Sequence, residues 1–259
     1  MKEKAMKLTE PMKKLSWSGS RPLSVLTMAL TLSGIVLPVQ AAVSLDRTRA
    51  IFPGGNKSIA LNIGNENKQV PYLAQAWLED ADGVKITTGP LVVTPPVQRL
   101  EPGTKSMVKV MAGPGANLLA QDRESLFYFN LREIPPKSDK ANVLQIALQT
   151  RIKLFYRPKG IVKAPGAVWQ DQLVLNRQGN GYRIENPTPY YITVIGIGDS
   201  KADAEKGQFE PVMVPPKGNV TSAGKTYARP FLTYINDYGG RPTLEFKCSA
   251  ERCVVKDKI

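Results

Sequence analysis

Basic residues within predicted strands are the first candidates for chemistry in this sequence. Arg47 and Arg49 fall on the otherwise apolar face of an extended pattern at 43–52, and Lys153 lies in a second such stretch. A charge on an apolar face needs a partner or an opening to solvent. A solvated side chain is the simpler interpretation of each residue taken alone, and their spacing does not pair them.

The sequence contains little else that could catalyse a reaction. It has no histidine, which excludes the usual Ser-His-Asp and Cys-His arrangements and most zinc chemistry. It also lacks a phosphate-binding glycine loop, a nucleophile elbow and the H-E-x-x-H motif. Asp80 and Asp82 fit a hairpin turn better than a pair of catalytic carboxylates. We therefore expect a protein that is not an enzyme and that needs no cofactor or metal.

The N-terminus resembles an export signal. Basic residues precede an uncharged stretch at 23–37, and Val39-Gln40-Ala41 then ends in a small residue. This order is typical of a secretory signal peptide, which we place at 1–41. A permanent membrane anchor is the alternative, but polar residues and Pro38 interrupt a segment that is short for a span of about 20 apolar residues.

Export changes the meaning of the charge and of the cysteines. The formal charge of +13 falls to +9 without the signal, because 1–41 holds six basic and two acidic residues. Outside the cytoplasm this charge favours anionic surfaces or acidic peptide groups over DNA or RNA. An even cysteine count in an oxidising compartment predicts a disulfide between Cys248 and Cys253. Metal binding by this pair would need further ligands.

The rest of the chain reads as short strands separated by turn residues, which predicts an all-β protein. No segment keeps a helical apolar period for long enough to predict a helix. Arg157-Pro158-Lys159-Gly160 and Pro165-Gly166 indicate a linker at 158–165. The flanking segments, 42–157 and 166–259, each suit one immunoglobulin-like β-sandwich of about 100 residues.

One predicted strand is unusually long. The stretch from Val143 to Arg157 contains no glycine or proline, and Leu144, Ile146 and Leu148 share one parity. It fits a hairpin strand with one face in its own core. It also fits an edge strand that is offered to a partner, because unpaired backbone groups template pairing.

Long blocks of this sequence resemble the periplasmic pilus (fimbrial) chaperone family. The resemblance runs from Ala42 essentially to the C-terminus, and long blocks are far more specific than a short motif. The blocks are AVSLDRTRA (42–50), YLAQAW (72–77), TPPVQRLEPG (94–103), QDRESLFYFNLREIPP (121–136), ANVLQIALQT (141–150), KLFYRP (153–158), YRIENPTPYY (182–191) and YINDYGGRP (234–242).

The resemblance implies two immunoglobulin-like domains in a boomerang arrangement and assigns roles to particular residues. Arg49 and Lys153 correspond to the pair that anchors the C-terminal carboxylate of a pilin. Leu144, Ile146 and Leu148 correspond to the donor strand that completes the fold of the pilin. Glu124, Arg157 and Asp237 correspond to an interdomain charge cluster. The cysteine pair also fits the family.

The resemblance therefore implies a periplasmic chaperone that binds pilin subunits by donor-strand complementation, caps them against premature assembly and delivers them to an outer-membrane usher. After signal cleavage it would not be embedded in a membrane, and self-association of the unloaded chain is left open. The alternative is a secreted immunoglobulin-like module that binds a surface or acts as an adhesin.

Overall fold

Strands dominate the chain, of which a computed structural model describes residues 41–139, 142–206 and 208–257. The predicted signal peptide lies outside the described residues, apart from Ala41. The strands of the first half are β1 (Val43–Leu45), β2 (Arg49–Pro53), β3 (Ser58–Asn65), β4 (Tyr72–Glu79), β5 (Lys85–Ile86), β6 (Leu91–Thr94), β7 (Val97–Leu100), β8 (Lys105–Ala112), β9 (Ser125–Ile134) and β10 (Gln149–Arg157).

The first half forms a sandwich of two sheets. One sheet has the order β1-β3-β8-β6, and the other has the order β2-β10-β9-β4-β5, with β7 also paired to β4. Alternate side chains of both sheets enter one shared core, in which Leu61, Val108, Phe129 and Leu154 are fully buried. The period-2 pattern of the sequence thus produces one buried and one outward face on each sheet.

The second half forms one eight-stranded sheet in the order β14-β13-β16-β17-β18-β11-β12-β15. It encloses its own core, which includes Tyr182, Ile192 and Phe246. The strands are β11 (Val174–Gln178), β12 (Gly181–Asn186), β13 (Ile192–Gly198), β14 (Val212–Val214), β15 (Gly218–Ser222), β16 (Phe231–Ile235), β17 (Thr243–Ser249) and β18 (Arg252–Val255). These two cores confirm the prediction of two all-β domains.

A few short helices accompany the strands. The α-helix α1 (Lys201–Glu205) was not predicted; the Ser200 hydroxyl caps it by accepting a hydrogen bond from the Asp203 amide at 3.2 Å. Single 3₁₀ turns occur at Ala116–Leu118, Lys159–Ile161 and Gln170–Gln172. None of the helices in the described ranges is long and apolar enough to span a membrane.

The extended pattern at 43–52 is not one strand, so its predicted face is wrong. Val43 belongs to β1 in one sheet, and Arg49 begins β2 in the other sheet. In β2 the core side chains are Ala50 and Phe52, and Arg49 points to the opposite face. The chain changes sheets at 46–48, and this bend breaks the alternation on which the prediction depended.

The long predicted strand is also shorter than expected, because β10 begins only at Gln149. Residues 142–149 are all exposed, with Leu144 at 85% and Ile146 at 65% of full exposure. The interpretation as a hairpin strand buried in its own core is therefore wrong for 143–148. Farther along, Ile152 and Leu154 do enter the core.

Two local predictions are confirmed. Cys248 and Cys253 form a disulfide between the paired strands β17 and β18. Asp80 and Asp82 lie in the turn between β4 and β5, where Asp80 Oδ1 accepts hydrogen bonds from the amides of Asp82 and Val84. Gly83 supplies the positive φ of 82° that this turn requires.

Candidate functional site

Arg49 and Lys153 lie directly side by side. Strands β2 and β10 are parallel, and their register begins with Lys153 opposite Arg49. Side chains opposite each other in neighbouring strands point to the same face. The structure thus brings together two cations that are about a hundred residues apart in the sequence.

Neither cation has a carboxylate partner within the described part of the chain. Arg49 is 9% exposed, its Nε is buried without a hydrogen-bond partner, and its Nη1 donates to the Ile235 carbonyl at 3.3 Å. Burial lowers the pKa of Arg49, against the attraction of Asp237 and Glu124. Burial, followed by repulsion from Arg49, lowers the pKa of Lys153. The pair is a partly desolvated positive site that makes no ion pair among the described residues.

This pair marks the start of an open sheet edge. Strand β10 pairs with β9 from Gln149 to Tyr156, but among the described residues it has β2 on its other side only from Lys153 onward. Its backbone between Gln149 and Ile152 is therefore free on that side. A strand entering there would continue the line of β2 beside β10.

The open edge leads back to the exposed apolar residues of 143–148. Leu144, Ile146 and Leu148 remain exposed and alternate with polar or small residues. The segment stays close to the domain, because the Glu133 amide donates to the Leu148 carbonyl at 3.0 Å and Gln145 Nε2 donates to the Pro136 carbonyl at 2.6 Å. The structure thus displays the predicted donor residues without burying them.

A second charge cluster joins the two domains around Arg157. Its Nη2 lies 2.7 Å from Glu124 Oε1, and its Nη1 and Nη2 donate to the two Asp237 carboxylate oxygens at 2.7 and 3.1 Å. The rings of Trp169 and Tyr190 pack against each other at a centroid distance of 4.4 Å, and Arg157 Cζ lies 5.0 and 4.9 Å from the two centroids. Arg157 is therefore paired with both carboxylates and also contacts this aromatic pair.

Glu124 connects the same cluster to the backbone of the second domain. Its Oε2 accepts a hydrogen bond from the Tyr191 amide at 2.8 Å, and its own amide donates to the Pro189 carbonyl at 2.9 Å. Burial raises the pKa of Glu124 to about 7, while Arg157 and the Tyr191 amide act in the opposite direction. Phe155 and Tyr191 stack beside it at 5.5 Å.

A cleft of about 650 Å³ runs between the domains beside both clusters. Arg47, Arg49 and Ile51 line it from β2 and the preceding bend, and Tyr238 lines it from the second domain. Tyr238 is 76% exposed. Arg49 thus borders an open space of the cleft.

The structure groups the sequence-derived site residues into neighbouring sets. Arg49 lies with Lys153, the apolar residues at 144, 146 and 148 lie along one approach to them, and Arg157 lies with Glu124 and Asp237. Trp169 and Tyr190 were not identified from the sequence, although an aromatic residue just after the predicted linker at 158–165 was an available signal. Arg47 instead pairs with Asp46, at 2.7 Å.

Comparison with known proteins gives consistent matches across both domains. A model of the family described as "Pili and flagellar-assembly chaperone, PapD N-terminal domain" matches residues 42–162, and "Pili assembly chaperone PapD, C-terminal domain" matches 168–246. The chain is 63% identical to the chaperone protein PapD of Escherichia coli over 222 residues, which cover 86% of this chain and 93% of that protein.

Solved structures agree with the sequence comparison. The periplasmic chaperone SfaE is 34% identical, with a TM-score of 0.64 over 78% of this chain and 98% of that chain. The SafB chaperone structure, solved with the SafA pilin of Salmonella enterica, shares the fold at 24% identity and a TM-score of 0.68, over 82% and 99% of the two chains. This chain belongs to the periplasmic pilus-assembly chaperones, a family without enzymatic activity.

Proposed function

We propose that this chaperone binds the C-terminal strand of a pilin subunit and anchors the pilin's terminal carboxylate between Arg49 and Lys153. The observation that carries the proposal is a pair of cations, without an ion pair among the described residues, at the start of an open sheet edge. A carboxylate there would accept charge-assisted hydrogen bonds, which are roughly twice as strong as neutral ones. It would also relieve the repulsion between the two cations.

The position of β2 defines the direction of the guest strand. A pilin strand that ends at the anchor and runs back along the free edge of β10 occupies the line of β2 and is parallel to β10. Its backbone pairs with the open edge, and the anchored terminus sets its register. The register then determines which face of the sheet each guest side chain points to.

Leu144, Ile146 and Leu148 would complete the pilin. In the free chaperone these apolar side chains are exposed to water. Their burial in the groove of an incomplete pilin would be favourable. Because the groove is then occupied, the bound pilin is capped against premature assembly. The related SafB chaperone, whose structure contains a pilin, supports this type of partner.

Delivery to an outer-membrane usher completes the proposed cycle. The sequence contains no recognisable phosphate-binding loop, so the proposal involves no nucleotide.

In the absence of a client, the open edge could pair with a second copy of the chain. Self-association of the unloaded protein therefore stays a prediction, and analytical ultracentrifugation of the free and pilin-loaded protein tests it.

The anchor is tested by pilin recovery from the periplasm. Tagged chaperone variants Arg49→Ala and Lys153→Ala are expected to fold but to leave little pilin in the co-purified material, identified by mass. Lys109→Ala is the matched control, because Lys109 is an exposed lysine in a central strand of the other sheet. Normal pilin recovery with either anchor variant would contradict the proposed anchor.

The donor strand is tested with a charge at one exposed position. Ile146→Asp places a carboxylate where an apolar side chain should enter the pilin, so complex yield should fall at least tenfold. Ala147→Asp adds the same charge to the opposite parity one residue away, and it should preserve the complex. Equal yields from these two variants would show that Ile146 does not fill the groove.

A further inference from the structure

The outward face of the sheet that holds the anchor carries several basic side chains. Strand register places Lys153 opposite Tyr128 and Tyr128 opposite Glu79. Glu79 is in turn opposite Lys85. Residues opposite each other share a face, so this row runs from the anchor across the whole sheet.

The next two rows add further cations to the same face. Arg151 is opposite Asn130, which is opposite Trp77; Gln149 is opposite Arg132. We call Lys85, Arg132 and Arg151 the basic face, and it is continuous with the anchor. The side chains of the other parity, such as Phe129 and Ile152, are buried in the core.

Aromatic rings hold the basic face in place. The Trp77 ring has Lys85 Nζ at 5.4 Å and Arg132 Cζ at 5.0 Å from its centroid, and Arg151 Cζ lies 3.5 Å from the Tyr128 centroid. Such contacts restrict the motion of long basic side chains while leaving their charges accessible. Lys85, Arg132 and Arg151 all remain exposed.

Acidic residues on the strands of this sheet neutralise only one of the three cations of the basic face, Arg151. Glu79 pairs with Arg151 at 2.8 Å and accepts from Trp77 Nε1 at 3.0 Å. Burial opposes these contacts, but the hydrogen bonds from Trp77 and Arg151 lower the pKa of Glu79. The other acid, Glu133, is buried and accepts from the Val43 amide at 2.8 Å. Lys85 and Arg132 form no ion pair within the described ranges.

We propose that the basic face selects clients whose guest strand carries carboxylates on its outward parity. This proposal rests on the guest-strand binding proposed above and adds the chemistry of the client. Arg151 lies on the open edge two residues before Lys153, so the guest strand passes directly beside it. Guest side chains alternate, one parity apolar beside Leu144, Ile146 and Leu148 and the other on the side of the basic face.

The basic face is expected to change mainly the rate at which the client associates. Clustered charge of one sign increases association rates with oppositely charged partners, and salt suppresses the effect. An acidic strand would therefore be captured faster than a neutral one, and the anchor would then fix its register.

Two synthetic peptides can test the selection. Both have alternating apolar residues and a free C-terminal carboxylate; one carries three aspartates at the intervening positions, and the other carries three asparagines. Stopped-flow association is measured at low and at physiological ionic strength. The wild type should capture the aspartate peptide about tenfold faster at low salt, and this preference should shrink as the Debye length falls to about 8 Å.

Charge-reversed variants locate the effect. Lys85→Glu/Arg132→Glu should lose the preference for aspartate and still bind the asparagine peptide, because the anchor and the Arg151–Glu79 pair are untouched. Lys105→Glu/Lys109→Glu makes the same change in net charge on the outward face of the other sheet and should keep the preference. If the reversed variant unfolds, Lys85→Gln/Arg132→Gln gives a smaller loss in the same direction.

Each outcome is informative. Equal rates for the two peptides on the wild type, or an equal loss in the Lys105/Lys109 control, would overturn the basic-face proposal and leave the anchor intact. Failure of the wild type to bind either peptide would overturn the proposed function and the basic face together.

Discussion

The two charge clusters of this protein are built from similar residues and have opposite electrostatic states. Arg157 makes ion pairs with Glu124 and Asp237 and lies against a pair of packed aromatic rings. Arg49 and Lys153 face each other in neighbouring strands and have no ion pair within the described residues. The first cluster is paired within the chain, and in our proposal the second is paired by an anion from the client.

This difference is the one expected between a cluster that supports the structure and a cluster that binds a ligand. A buried charge that has its partners fixes geometry, and removing one partner leaves the other charge uncompensated. A partly buried charge without a partner costs free energy in the unloaded protein. The cost is recovered when a ligand supplies the missing charge, which is the pattern expected of a binding site.

The largest effect is expected from breaking the compensated cluster. Arg157→Met leaves Glu124, which is 3% exposed, without its cation. We expect the free energy of unfolding to fall by about 3–5 kcal/mol, measured by urea denaturation. Arg99→Met removes a fully exposed partner of Glu101 and should change stability little. Similar small losses for both variants would show that the Arg157 cluster does not stabilise the fold.

The opposite result is expected for Arg49 and Lys153, which make no ion pair in the described part of the chain. Lys153→Met removes repulsion from Arg49 and keeps the aliphatic volume, so the free energy of unfolding should be unchanged or slightly higher than in the wild type. Pilin recovery should nevertheless be lost. A marked loss of stability in Lys153→Met would show that Lys153 supports the fold and would remove the contrast between the clusters.

The pH dependence of peptide affinity tests the same contrast between the two clusters. The pKa of Lys153 is lowered in the folded chain, so Lys153 loses its charge at a lower pH than an ordinary lysine. Peptide affinity should therefore fall as the pH rises through this lowered pKa, whereas a Lys153→Arg variant should keep its affinity there.

Stability should change in the other direction over the same window. The unfolded chain binds the Lys153 proton more tightly than the folded chain, so the free energy of unfolding rises with pH between the lowered pKa and the ordinary lysine pKa. Chemical denaturation of wild type and Lys153→Met across this range isolates the effect. A parallel pH profile for the two proteins would contradict it.

Sequence reasoning identified most strands because their alternation reports one buried face. Short strands with mostly outward-facing residues, such as β7 and β15, carry little of this signal. The predicted strand at 143–157 joined β10 to 143–148, because an alternating apolar pattern does not show whether its partner lies in the same chain.

The site could be predicted only in part for a similar reason. Arg49 and Lys153 were conspicuous as separate cations, but the parallel register that places them side by side joins distant segments and leaves no local signal. The family resemblance supplied that pairing and the partners of Arg157. The basic face required the register of the four strands β5, β4, β9 and β10, which no single stretch of sequence contains.

The most direct test of the account compares one peptide with a free C-terminal carboxylate and the same peptide amidated, by calorimetric titration. The wild type should lose about 10- to 100-fold in affinity on amidation, because a hydrogen bond to a charged group contributes about 1.5–3 kcal/mol. Lys153→Met should discriminate far less between them. Equal binding of the two peptides by the wild type would contradict the claim that Arg49 and Lys153 bind the terminal carboxylate.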